Sequence, residues 1–104
     1  MPRMTIRYIS EKSNEFLQIK GQVKEQFHED LFPPGLDLLF PNDDEDVELV
    51  ETKDKNVVGF IIPNRHRGLS LRYNAYSLIT HELIVNRSNA VAIKFVKSQA
   101  KSNA

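Results

Sequence analysis

Val47-Glu48-Leu49-Val50-Glu51-Thr52-Lys53-Asp54-Lys55-Asn56-Val57-Val58-Gly59-Phe60-Ile61-Ile62 is the stretch on which the fold turns. It reads as strand, turn, strand. Val47 and Leu49 alternate with Glu48, the pattern of a half-exposed strand. Lys53 to Asn56 is wholly polar and supplies the turn. Val57 to Ile62 is apolar throughout, which suits a central strand covered on both faces. Gly59 in its middle marks either a bulge or the close approach of another element.

Toward the N-terminus, residues 4–9 set Ile6 and Tyr8 among polar neighbours and read as a first strand. Ser10 or Ser13 then caps a helix from Asn14 to about His28, with Glu11 and Glu15 near its positive end. Phe16, Ile19, the stem of Lys20, Val23 and Phe27 fall on one face of it. Pro33-Pro34-Gly35 must end the helix, because proline lacks an amide hydrogen and restricts the residue before it. Leu36, Leu38, Leu39 and Phe40 read as core, with the rim of a groove as the other use. Asp43-Asp44-Glu45-Asp46 reads as a solvated loop; it lacks the spaced carboxylates and central glycine of a calcium loop.

Toward the C-terminus, Leu71, Ala75, Leu78, Ile79 and Leu83 share one broad face if Ser70 to about Ile84 is helical. Asn89 to Gln99 fits both periods. Ala92, Phe95, Val96 and Gln99 suit a helix capped by Ser88 or Asn89, whereas Val91, Ile93 and Phe95 suit a strand. Residues 98–104 read as a frayed tail. The expectation is a single α+β domain over residues 1–104. It has a small, mostly antiparallel sheet of strands 4–9, 47–52 and 57–62, helix 14–28 on one face, and one or two C-terminal helices.

The chain has 104 residues, 40% hydrophobic and 27% charged, the composition of an ordinary globular domain. It holds no cysteine, which removes disulfides, thiol chemistry and the common structural zinc sites. No apolar run approaches the roughly 18 residues of a membrane span, and Met1-Pro2-Arg3-Met4 opens no signal peptide, so a cytoplasmic, membrane-free protein is expected. The net charge of zero conceals an imbalance. Residues 1–55 hold thirteen acidic and seven basic side chains, whereas residues 56–104 hold Glu82 against seven basic ones. Either the halves attract each other, within one copy or in a dimer, or the second half presents an anion-binding face.

Arg65-His66-Arg67-Gly68-Leu69-Ser70 carries the anion chemistry. Two guanidinium groups and a glycine ahead of a helix capped by Ser70 would hold a phosphate through charge, main-chain amides and the helix dipole. A charged surface turn is the plainer reading. Further on, Val85-Asn86-Arg87-Ser88-Asn89-Ala90-Val91-Ala92-Ile93-Lys94-Phe95 places Asn89 three residues before Ala92 and six before Phe95.

The order of elements, Val57-Val58-Gly59-Phe60-Ile61, the basic glycine turn, and Val85, Asn89, Ala92, Ile93 and Phe95 together resemble the GNAT acetyltransferase superfamily, as a shortened member. The resemblance covers residues 4–62 as a whole and residues 63–98 in fragments. It implies acetyl-CoA as cofactor and acetyl transfer to an amine on a small molecule or a protein. Arg65, Arg67, Gly68, Ser70 and Leu71 would then follow the pyrophosphate and Asn89 would lie near the pantetheine arm. A strand amide among Phe60, Ile61 and Ile62 would polarise the thioester carbonyl. Glu48, Glu51 and His66 are the nearest candidates for accepting the amine's proton. The chain departs from the family at three points: Gly68 is the only loop glycine, Val96 stands where a tyrosine serves as general acid, and the closing strands are absent.

Other motifs fail. Thr80-His81-Glu82-Leu83-Ile84-Val85 begins like the zinc-protease helix but has Val85 in place of the second histidine. His28, His66 and His81 are scattered, and no metal site is expected. The competing class is a non-enzymatic module that contacts nucleic acid or a protein partner through its basic half, with Tyr73, Tyr76 and Phe95 as stacking groups among the arginines.

Overall fold

The computed structural model describes residues 3–26, 46–64 and 71–102. In chain order they form β1 (Thr5–Ser10), α1 (Asn14–Glu25), β2 (Asp46–Glu51), β3 (Val57–Asn64), β4 (Arg72–Ser77), β5 (Leu83–Arg87) and α2 (Asn89–Ser102). The five strands form one antiparallel sheet in the order β1-β2-β3-β4-β5. The α+β architecture with an N-terminal and a C-terminal helix agrees with the sequence reading.

One expectation is overturned. Residues 70–84 are not a helix: Arg72–Ser77 and Leu83–Arg87 are two strands joined by a turn. The reason lies in β3. A strand apolar on both faces sits inside a sheet, and its buried main-chain groups need a partner along each edge. β2 lines one edge, and β4 supplies the other through Gly59↔Ser77, Phe60↔Tyr76, Ile61↔Ala75 and Ile62↔Asn74. Ala75 and Tyr76, adjacent in sequence, are both fully buried, in the core clusters of opposite faces. Helical spacing of leucines lost to the demand of the neighbouring strand.

α1 covers one face. Ser13 caps it, its hydroxyl accepting from the Phe16 amide at 3.2 Å, while Ser10 takes the Lys12 amide in the preceding turn. Phe16, Ile19 and Val23 pack against Val47, Leu49, Phe60, Ile62 and Tyr76, each contributing about 1.5–3 kcal/mol of burial. Phe16 meets Phe60 edge-on at 5.4 Å. The Lys20 stem lies in this layer with its ammonium 5.6 Å above the Phe16 ring. Arg7 of β1 ties helix to sheet by donating to both Glu15 and Glu51. The helix is described to Glu25 and its cap Gln26, so the expected extension through Phe27 and His28 lies outside the described residues, as do Leu36–Phe40 and Asp43–Glu45.

α2 covers the other face, which settles residues 89–99 as helix; it runs on to Ser102. Ser88 caps it, its carbonyl accepting from Ala92 and its hydroxyl from Val91. Ala92 and Val96 pack on Val50, Val58, Ile61 and Ala75. Gly59 proves to be both things its position suggested. Val50 pairs with Gly59 but Glu51 with Val57, so Val58 is the extra residue of a bulge. A Cβ on Gly59 would stand 2.5 Å from Val96 Cγ1 and 2.6 Å from the Tyr76 carbonyl oxygen.

A second bulge shapes the outer hairpin. Tyr73 pairs with Arg87 but Ala75 with Ile84, which gives β5 an extra residue. Asn86 takes a left-handed conformation there (φ 57°), and its amide is captured by the buried Asn74 side chain at 3.0 Å. Asparagine tolerates that conformation better than most residues.

Candidate functional site

On the α2 face, β1, β2 and β3 place Tyr8, Glu48 and Ile61 in one row, since Tyr8 pairs with Glu48 and Glu48 with Ile61. Glu48 is only 6% exposed although it lies on a strand that sequence alternation read as half-exposed. Asn89, at the first turn of α2, donates its Nδ2 to Glu48 Oε2 at 2.7 Å. Tyr8 stands beside the same carboxylate on the neighbouring strand, and the negative charge of Glu48, then hydrogen bonding to it, push the phenol's pKa above the ordinary tyrosine value. The Tyr8 ring itself is 63% exposed. A buried carboxylate with one amide donor and one solvent-facing phenol is thus assembled from residues 41 positions apart on β2 and α2, and from β1.

The cluster lies at one end of the sheet. β3 leaves that end at Asn64, paired with Arg72 at the start of β4. Arg87, at the end of β5, pairs with Tyr73, and α2 begins two residues later. β3 therefore ends, and β4 begins, at the end of the sheet where α2 starts. Arg65, Arg67, Gly68, Ser70 and His66 lie outside the described residues. The next described element is the strand β4, so no helix begins at Ser70 to lend its dipole to an anion. Leu71 is exposed ahead of β4.

The other residues singled out in the sequence are placed less favourably. Phe60, Ile61 and Ile62 are fully buried in β3. Phe60 and Ile61 pair on both sides, with Leu49 and Glu48 of β2 and with Tyr76 and Ala75 of β4. Glu51 is taken up by Arg7 at 3.0 Å on the α1 face, away from Glu48. Of the aromatic residues read as stacking groups, Tyr76 is fully buried and unable to receive a base, while Tyr73 and Phe95 are half-buried against the α2 core. Among the described residues no group of three metal-ligating side chains converges. No helix of the described residues is long and apolar enough to cross a membrane.

Sequence reasoning missed Tyr8 as a site residue. Its signal was present in the alternation of β1, which put Ile6 and Tyr8 on one side, but the partner strand that aligns Tyr8 with Glu48 was not visible. No family model, curated protein or solved structure matches this chain.

Proposed function

We propose that this chain is a GNAT-like acyl-CoA-binding protein that moves an acetyl group from acetyl-CoA to an amine. One observation carries the reading: the bond between Asn89, expected beside the pantetheine arm, and Glu48, one of three candidates with Glu51 and His66 for accepting the amine's proton. In the transfer, the amine nitrogen attacks the thioester carbonyl, the new C–N bond forms, and the C–S bond breaks to release the CoA thiolate. Glu48 takes the proton that the amine loses, oriented for it by Asn89, and a proton from solvent quenches the thiolate. Tyr8, with its proton held tightly by the neighbouring carboxylate, lines the solvent side of that centre. Because β4 stands where the family's helix would come after the loop, the diphosphate would rest on side-chain cations instead: Arg65 and Arg67 of the loop, with Arg72 and Arg87 at the flanking strand ends.

Calorimetric titration with acetyl-CoA tests the reading. Saturable heat that is lost with pantetheine fragments lacking the diphosphate supports it. An absence of binding at millimolar acetyl-CoA rejects it, and salt-sensitive retention on nucleic acid would favour the binding-module class in its place.

A further inference from the structure

An open cleft of about 240 Å3 lies on the α1 side of the sheet, the face opposite Glu48. It is lined by Gln22, Glu25 and Gln26 at the end of α1, by Val57 and Leu78, and by His81 between β4 and β5. The space equals that of about eight water molecules, room for a ligand of a few heavy atoms.

The turn that carries His81 is held firmly. Ser77 Oγ accepts from the amides of Ile79 and Thr80 at 3.1 Å, and the Ser77 carbonyl accepts from the His81 amide at 3.0 Å. His81 adopts φ 62°, a conformation that glycine or asparagine would take with less strain. What its side chain gains there is a contact: Nδ1 lies 3.2 Å from the Tyr76 hydroxyl. Tyr76 is buried and its pKa is pushed up to about 12 by that burial, so its hydroxyl keeps its proton beside Nδ1.

Among the described residues, Glu25 is the one formally charged group that lines the cleft, and the negative end of α1 faces the same space. Lys24 shares that helical turn but does not line the cleft. Gln22 and Gln26 add side-chain amides, each with an oxygen able to accept from an ammonium, while Val57 and Leu78 offer an aliphatic surface to a short methylene chain.

We propose that this cleft binds a small alkylammonium group, with the ammonium at Glu25 and the glutamine oxygens and the alkyl chain on Val57 and Leu78. The site does not depend on acyl transfer. Two-dimensional amide NMR of the full chain, titrated with n-butylammonium and separately with n-butanol, tests it. Saturating shifts at Gln22, Gln26 and His81 with a dissociation constant on the order of 1 mM are expected for the ammonium alone. Glu25→Gln, on an exposed helical position, should weaken them about tenfold by removing the charged acceptor. Glu48→Gln should leave them unchanged. Equal shifts with n-butanol, shifts that never saturate, or an unaltered response of the Glu25→Gln variant would overturn the proposal.

Discussion

Glu48 is a carboxylate that the sheet has taken out of water and that Asn89 holds in place beside Tyr8. Glu48→Gln preserves the shape and removes the charge. If Glu48 is the base of the proposed acetyl transfer, turnover should fall by about a hundredfold or more, with acetyl-CoA affinity changed by less than about twofold. Steady-state kinetics set beside calorimetry separates the two effects. The same variant should lower the Tyr8 pKa toward its ordinary value, because the charge that opposes phenolate formation is gone; a carbon-13 NMR titration of the ring reads this directly. Tyr76 gives a second, independent test. In the unfolded chain it ionises near pH 10.0, in the folded one near pH 12, so the folded state alone keeps its proton between them. Stability should therefore fall as pH rises through that window, by about 3 kcal/mol in total. Urea midpoints for wild type and Tyr76→Phe should run parallel below pH 10 and part above it, with the steeper loss in wild type.

At the scale of elements, the contact between β3 and α2 sets the depth of the second layer. Gly59 permits it because Val96 lies where a side chain would otherwise stand. Gly59→Ala should destabilise by about 1–3 kcal/mol through overpacking. Val96→Ala should restore only part of that loss, since the Tyr76 carbonyl oxygen presses on the same Cβ and cannot retreat without disturbing the ladder. A double-mutant cycle by denaturant unfolding measures the coupling; strict additivity would show that the two residues do not meet. The elements themselves were unequally readable. Helix α1 carried its cap, its acidic first turn and a clean apolar face in adjacent sequence, so its start at Asn14 matched the expectation. The segment 70–84 carried leucines at helical spacing, and nothing local revealed that β3 required a partner on its far edge.

For the whole molecule, the uneven distribution of charge resolves partly into structure. Arg7 from the first half is consumed by Glu15 and Glu51, all within the acidic half, so the charge halves are not simply neutralising each other there. The basic residues at the end of β5 and the start of β4 stand at the end of the sheet where the Glu48 cluster sits, beside the point at which residues 65–70 join β3 to β4. Arg67→Glu should weaken acetyl-CoA binding by at least about tenfold if a charged phosphate contact is lost, as measured by calorimetry. An unchanged affinity would place the diphosphate elsewhere on the molecule.

Local chemistry in the chain was enough to determine the α+β class, the first helix, and the hairpin of β2 and β3. Each depends on residues within a few positions of one another, where steric and burial preferences act directly. Tertiary structure alone decided that residues 72–77 and 83–87 pair as strands and that residues 89–102 are helical. It also decided that Tyr8, Glu48 and Asn89 meet. Those outcomes rest on hydrogen-bonding edges and apolar faces supplied by distant segments, and the satisfaction of a buried main chain outweighs the weak preferences of any single stretch.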